Sequence, residues 1–208
     1  MYIHNILNIG IKEDERMIEN LIKNNRSYRI FDESYKISID MLKEILNMAR
    51  LTSSGRNMQT IRFLPITKAS QLNIIYENIK WAGYLKDWDG PVEGQRPTGF
   101  ILFLSDEKIK KSPTFDIDLG LACQSILLKS IEEGLGGCMI GAFNRKNISQ
   151  DLNLPQNYNI ELILALGKPN QKVVIEDIKE GDDIKYWKDE DNTHHVPKIV
   201  LDDLIVEI

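Results

Sequence analysis

Apolar residues recur at helical spacing in four stretches of the chain. Met17, Ile18, Leu21 and Ile22 predict a helix over Glu13 to Asn24. Met41, Leu42, Ile45, Leu46 and Ala49 share one stripe of a second helix, capped by Ser38 or Asp40 and running to about Arg50. A third helix is predicted over Ser70 to Trp81. The fourth and longest, Thr114 to Glu133, carries Leu119, Ala122, Cys123, Ile126, Leu127 and Ile131, with Gly134 placed for a left-handed C-cap. A helix apolar over so much of its circumference belongs in a core or at a subunit interface. Asn144 to Leu152 predicts a shorter helix, with Asn144 or Asn147 as its cap.

Two unbroken apolar runs, Gly99 to Ser105 and Ile160 to Leu166, read as buried strands, the second closed by Gly167-Lys168-Pro169. Turn residues crowd from Asp87 through Gly90-Pro91, Gly94 and Arg96-Pro97, so residues 84–99 read as a lid or substrate loop. The tail, 198–208, reads as a strand or extended arm. Helices come early and strands are few and late, which predicts an α+β fold, a sheet flanked by helices, rather than a doubly wound one. No GxGxxG follows a strand, which agrees. No linker or repeat divides residues 1–208, so a single domain is expected.

Composition narrows the function classes. The net charge of −5 argues against nucleic acid or an anionic membrane surface as partner. The longest apolar run, Ile101 to Leu104, is far below the ~20 residues that span a bilayer. Acidic Glu13 and Asp14 follow a short apolar stretch with no small-residue cleavage site, so no signal peptide is read and a cytoplasmic location is expected. Cys123 and Cys138 sit among small or apolar neighbours, the setting of reduced buried thiols. The three histidines, His4, His194 and His195, show no metal-ligand spacing, so no metal is expected.

Four clusters carry candidate chemistry. Arg26-Ser27-Tyr28-Arg29-Ile30-Phe31 leaves the first helix, and its guanidinium forks suit a phosphate or carboxylate; taken alone, it equally suits a solvated helix C-terminus. Ser53-Ser54-Gly55-Arg56-Asn57-Met58-Gln59 offers neutral donors and acceptors, with Gly55 for a tight turn; it reads a heterocycle's edge or is a plain turn. Gly134, Gly136, Gly137 and Gly141 mark a close backbone approach, either to a neighbouring element or to a planar ligand. His194-His195-Val196-Pro197-Lys198 places a cation after an acidic segment, and in isolation suits a surface loop.

Together, in this order, the clusters resemble the FMN-dependent nitroreductase family. The family's R-S-x-R-x-F is matched at Arg26 to Phe31, and its P-S-x-x-N-x-Q-P-W-x-F at Ser53 to Phe63. E-x-G-L-G-x-x-x-I-G is matched around Glu132 to Gly141, L-x-L-G-x-P at Leu164 to Pro169, and H-x-V-P-K at His194 to Lys198. Asn25 replaces a first arginine, Ile199 a basic residue, and Thr60-Ile61 a Pro-Trp pair.

The resemblance implies a nitroreductase-like, mainly antiparallel sheet in an intertwined homodimer with exchange of the C-terminal arm, and FMN in clefts at the subunit interface. It assigns Arg26 and Ser27 to the phosphate and ribityl chain, Arg29 to the flavin N1/O2 edge, the Gly136-Gly137 backbone to the ring, and Lys198 to the phosphate. Ser54 and Asn57 would come from the partner subunit, with Gln59 near the flavin. Tyr84, Trp88 and Arg96 would meet the substrate, unless they are simply a packed loop. The implied activity is ping-pong hydride transfer from NAD(P)H through flavin N5 to a small-molecule acceptor, a nitroaromatic, quinone or similar electron-poor compound. No protein catalytic residue is required, consistent with the lack of a triad or paired carboxylates. The alternatives are a non-catalytic flavin-binding protein for storage or sensing, and an interaction module in which the arginines and glycines are structural.

Overall fold

The computed structural model describes residues 17–207. In chain order the elements are α1 (Met17–Asn24), β1 (Phe31–Asp32), α2 (Ile39–Leu51), β2 (Arg62–Ile66), α3 (Ala69–Glu77), β3 (Gly99–Asp106), α4 (Phe115–Glu132), β4 (Gly136–Ile140), α5 (Arg145–Asp151), β5 (Tyr158–Pro169), β6 (Val173–Ile178), β7 (Trp187–Lys188), β8 (His194–Ile199) and α6 (Leu201–Leu204). Residues 13–16 of the expected first helix, and the segment read as lacking a signal peptide, lie outside the described residues.

The two apolar runs become β3 and β5, antiparallel neighbours at the centre of a five-stranded sheet. Strands β1 and β4 also pair with β5 and β2 pairs with β3, all antiparallel. Burial on both faces explains the absence of polar alternation: Phe100, Leu102 and Leu104 enter one core with Ile75 of α3 and Ile148 of α5. Ile101 and Phe103 enter the other, with Leu42 and Ile45 of α2 and Ala122, Cys123, Ile126 and Leu127 of α4. A sheet covered by helices on both sides, with all five strands antiparallel to their neighbours, is the expected α+β arrangement.

Several local expectations hold in detail. Ser38 rather than Asp40 caps α2, accepting from the Met41 N–H at 3.1 Å. Asn144 caps α5 through the Asn147 N–H, and Gly134 ends α4 with φ +71°. Others differ. Helix α3 stops at Glu77 instead of Trp81, because the following backbone pairs elsewhere: Ile79 bridges Phe143 and the Lys80 N–H donates to the Ala142 carbonyl. The strands are neither few nor late, since short β1, β2 and β4 edge the central pair and lack a periodic signal of their own. The tail is not one extended arm. His194–Ile199 forms β8 beside β6 in parallel and β7 in antiparallel, followed by the short helix α6.

Among the described residues, no helix is long and apolar enough to cross a membrane.

Candidate functional site

Beyond α1 the chain extends and lies against β4: Ser27 forms a parallel bridge with Gly137, and the Tyr28 N–H donates to the Gly137 carbonyl at 3.0 Å. This placement, together with β8 arriving from the C-terminal sheet, encloses a cleft of about 320 Å³. Arg26, Ser27, Arg29, Gly137 and Lys198 all line it, joined by Asn25, Gln124, Leu127, Met139, Tyr186, His194 and Val196. Among the described residues, three cationic side chains and no carboxylate line the cavity of a chain whose overall charge is negative.

The two arginines are held differently. Arg26 donates through Nη2 to the Ile22 carbonyl at the end of α1, at 2.8 Å, so it does complement the helix terminus. Its Nε is nevertheless buried without a partner among the described residues, and burial draws the guanidinium pKa below its ordinary value against the opposing effect of Tyr28. Arg29 is only 9% exposed. Its backbone N–H donates to Gln171 Oε1 at 3.0 Å, its Nη1 lies 3.2 Å from both the Ser27 carbonyl and His194 Nε2, and its guanidinium sits 4.8 Å from the Tyr186 ring centre. No acid pairs with it among the described residues. Burying a charge with only neutral partners is costly unless a counter-charge arrives from outside.

His194 is 1% exposed, and its pKa is pushed down to about 4, first by burial and then by the charges of Arg29 and Lys188 and by His195. Lys188, opposite His194 in the β7–β8 pairing, is itself lowered, by burial and then by Arg29. Burial leads in both cases, and the Arg29 charge adds to each in the same direction.

Gly136 lies outside the cleft lining. A side chain there would strike Tyr28 and, at 2.7 Å, Pro169 Cγ, so its small size serves packing of the first cluster against β4. Ser54 and Gln59 line a separate pocket of about 290 Å³ with Asp118, Ala49, Leu46 and Phe63; Asn57 accepts from the Gln59 amide at 3.2 Å. This loop is strained, with φ near +50° at Arg56, Asn57 and Gln59. Gly55 opens the expected tight turn, a single 3-10 turn over Gly55–Asn57 in which the Asn57 N–H donates to the Ser54 carbonyl at 2.9 Å. Gly55 also makes room for the Thr114 hydroxyl, and its N–H donates to buried Asp118 at 2.9 Å.

Within residues 84–99, Tyr84 reaches the cleft's edge. Its ring lies 5.0 Å from that of Tyr186, and its N–H donates to the Tyr186 hydroxyl at 3.4 Å. Trp88 packs on Trp81 and beneath Lys188, whereas Arg96 stacks on Tyr76, 4.3 Å from its ring centre. Tyr186 and His194 are among the cleft residues not assigned to the site from the sequence, as are Gln124, Leu127, Met139 and Val196. His194 carried a signal, as the first position of the H-x-V-P-K match. Tyr186 carried none.

Both thiols are buried. Cys123 is pushed up to about 12 by desolvation, and Cys138 is raised by burial although Arg29 and Ser27 oppose it. Cys123→Ser and Cys138→Ser are therefore expected to retain turnover, and native protein to resist maleimide labelling. Loss of activity in either folded variant would point to thiol chemistry.

The sequence profile of the nitroreductase family matches residues 22–168. Comparison with curated proteins returns no match. Among solved structures, the FMN-dependent nitroreductase of Clostridium difficile R20291 aligns with a TM-score of 0.58 at 23% identity, over 73% of this chain and 87% of that one. A protein of Bacteroides thetaiotaomicron VPI-5482, provisionally assigned as an NADH dehydrogenase/NAD(P)H nitroreductase, aligns at 0.59 and 20% identity, over 79% and 92%. A structure described as an oxidoreductase containing FMN aligns at 0.59 and 20% identity, over 82% and 84%. At such identities these structures speak for the fold, while the profile covers well over half the chain. The chain belongs to the nitroreductase family, a family of oxidoreductases.

Proposed function

We propose that this protein is an FMN-dependent NAD(P)H oxidoreductase acting on nitroaromatic, quinone or similarly electron-poor acceptors. The carrying observation is the cleft itself: among the described residues, Arg26, Arg29 and Lys198 converge with no carboxylate, and one guanidinium nitrogen is buried without a partner. Such a set suits a ligand with a phosphate at one end and an electron-rich heterocycle edge at the other. Arg26, Ser27 and Lys198 would hold the phosphate and ribityl chain, Arg29 the pyrimidine edge, and the Gly137 backbone the ring face. Bound flavin would supply the two-electron hydride chemistry between reduced nicotinamide and acceptor. The chain's own part is to bind, orient and exclude water, with Arg29 offering positive charge where the reduced ring is electron-rich. Tyr84 and Tyr186 form an aromatic edge suited to planar acceptors.

A homodimer would complete this cleft. The second-motif residues Ser54, Asn57 and Gln59 belong to a different part of the single chain, as expected if they serve a partner's flavin. Apolar residues are also left exposed on α1 (Met17, Ile18, Ile22), on α4 (Ile117, Leu121) and at the C-terminal end (Leu201, Leu204, Ile205, Val206). Light scattering is expected to give twice the chain mass.

The decisive test is the visible spectrum. Purified protein, or protein given FMN, is expected to be yellow, to bleach with NADPH or NADH under argon, and to regain colour on adding a nitroaromatic or quinone. A colourless sample that takes up no FMN would overturn the proposal. Bound flavin that reduced nicotinamide cannot bleach would favour the storage or sensing alternative.

A further inference from the structure

A buried arginine is ordinarily paired with a carboxylate, which fixes its orientation but also cancels its charge. Arg29 is fixed differently. Guanidinium nitrogens only donate, so the 3.2 Å contact between Arg29 Nη1 and His194 Nε2 requires that Nε2 accept. His194 must then be neutral with its hydrogen on Nδ1, and Nδ1 is buried without a partner among the described residues. The groups that act on this imidazole are Arg29 after α1, Lys188 on β7 and its neighbour His195 on β8, with the Tyr186 ring 5.2 Å away; none of them is an acid. Glu176 and Asp189 are engaged instead with His195, at 2.6 and 3.0 Å. Two adjacent histidines are thus sorted, one to the acids and one to the arginine.

We propose that His194 is the positioning residue for Arg29: as a neutral Nδ1–H imidazole it orients the guanidinium toward the cleft and leaves its full positive charge to the bound anionic or electron-rich group. This deepens the flavin reading above and rests on it where FMN is concerned. The alternative anchor, a carboxylate, would give the same geometry and a nearly neutral site. The Nδ1–H form is the less usual one for a free imidazole, so its presence marks the Arg29 contact specifically.

The test has two arms. In flavin-free protein, long-range proton–nitrogen correlation of the histidine rings, with the His194 signals assigned by their loss in His194→Gln, is expected to show Nδ1 protonated and Nε2 bare at neutral pH. Protonated Nε2 overturns the proposal, whether or not FMN binds. In the second arm, FMN affinity is measured by fluorescence quenching and the relative affinity for reduced and oxidised FMN by redox titration. His194→Gln, whose carbonyl oxygen can still accept from Arg29, is expected to stay near wild type. His194→Phe is expected to bind FMN about tenfold more weakly. His194→Glu, which keeps an acceptor but neutralises Arg29, is expected to lose about tenfold in its preference for reduced over oxidised FMN. Phe and Glu variants that fold, as judged by thermal melts, yet match wild type in both quantities would overturn the proposal. Wild-type protein that binds no FMN would defeat the flavin reading instead, and leave the first arm to decide the Arg29–His194 pairing.

Discussion

Arg26→Ala is expected to weaken FMN binding by ten- to a hundredfold, the ordinary cost of losing a charge-assisted contact to phosphate. Arg29→Ala is expected instead to depress the flavin's two-electron potential more than its affinity. The difference follows from the two settings. Arg26 stands at the end of α1, anchored by the Ile22 carbonyl with its Nε free, beside a cleft that Lys198 enters from β8. Arg29 is buried, held by the Ser27 carbonyl and His194, and surrounded by groups that do nothing to cancel its charge. A guanidinium so placed acts mainly on whichever redox form carries more negative charge. Arg29→Lys separates charge from shape: it keeps the cation but loses the planar guanidinium whose Nη1 meets both Ser27 and His194, so an intermediate potential is expected. FMN titration and redox titration of the variants check the assignment. A reversed pattern would show that the two arginines have exchanged roles.

The second large effect is expected in acid. His194 is held neutral with a folded-state pKa of about 4, below its ordinary value near 6.5. Its contribution to stability is therefore fully present above about pH 6.5 and lost as pH falls toward 4, where the unfolded chain takes up the proton more readily. Each tenfold change in proton affinity is worth about 1.4 kcal/mol, so the loss approaches about 3 kcal/mol at the acid end. Protonation of folded His194 also ends the contact with Arg29, because an imidazolium cannot accept, so flavin release is expected as pH falls through about 4. His195 works in the opposite sense. Its partners Asp189 and Glu176 raise its pKa, so its contribution is complete below 6.5 and fades as pH climbs through the raised folded value. Thermal melts across pH check both: His194→Phe should flatten the acid limb, and His195→Gln the limb above neutrality. Unchanged limbs in both variants would remove histidine titration as the cause.

Much of the architecture was legible from periodicity. The α2 and α4 stripes, the Ser38 and Asn144 caps, the Gly134 terminus and the two buried central strands follow from local patterns, because each depends on residues within a few positions of one another. The short strands were not legible. Phe31–Asp32 is a strand only because Pro169 and Lys168 lie opposite, and β4 only because β5 does. Pairing of this kind comes from the partner, not from the residues paired. The stop of α3 at Glu77 has the same cause, since an otherwise continuous helical pattern was overridden by hydrogen bonds to residues 142–144.

The candidate site divides in the same way. Arg26, Ser27, Arg29 and Lys198 were marked by residue type and order, and tertiary structure brings them to one cleft with Gly137. Gly136, from the same dipeptide, is turned toward Tyr28 and Pro169, a distinction that no spacing encodes. What the amino-acid order alone determined was which cations and polar groups this chain has to offer, and in what helical and extended segments. What folding decided was their electrical state. Arg29 and His194 are 165 residues apart, and their contact makes one a naked charge and the other a neutral acceptor. Meanwhile His195, one residue along, faces acids and is raised instead. Successive residues on a strand point to opposite sides, so neighbours in sequence enter different dielectric and charge environments, and those environments exist only once distant segments have met.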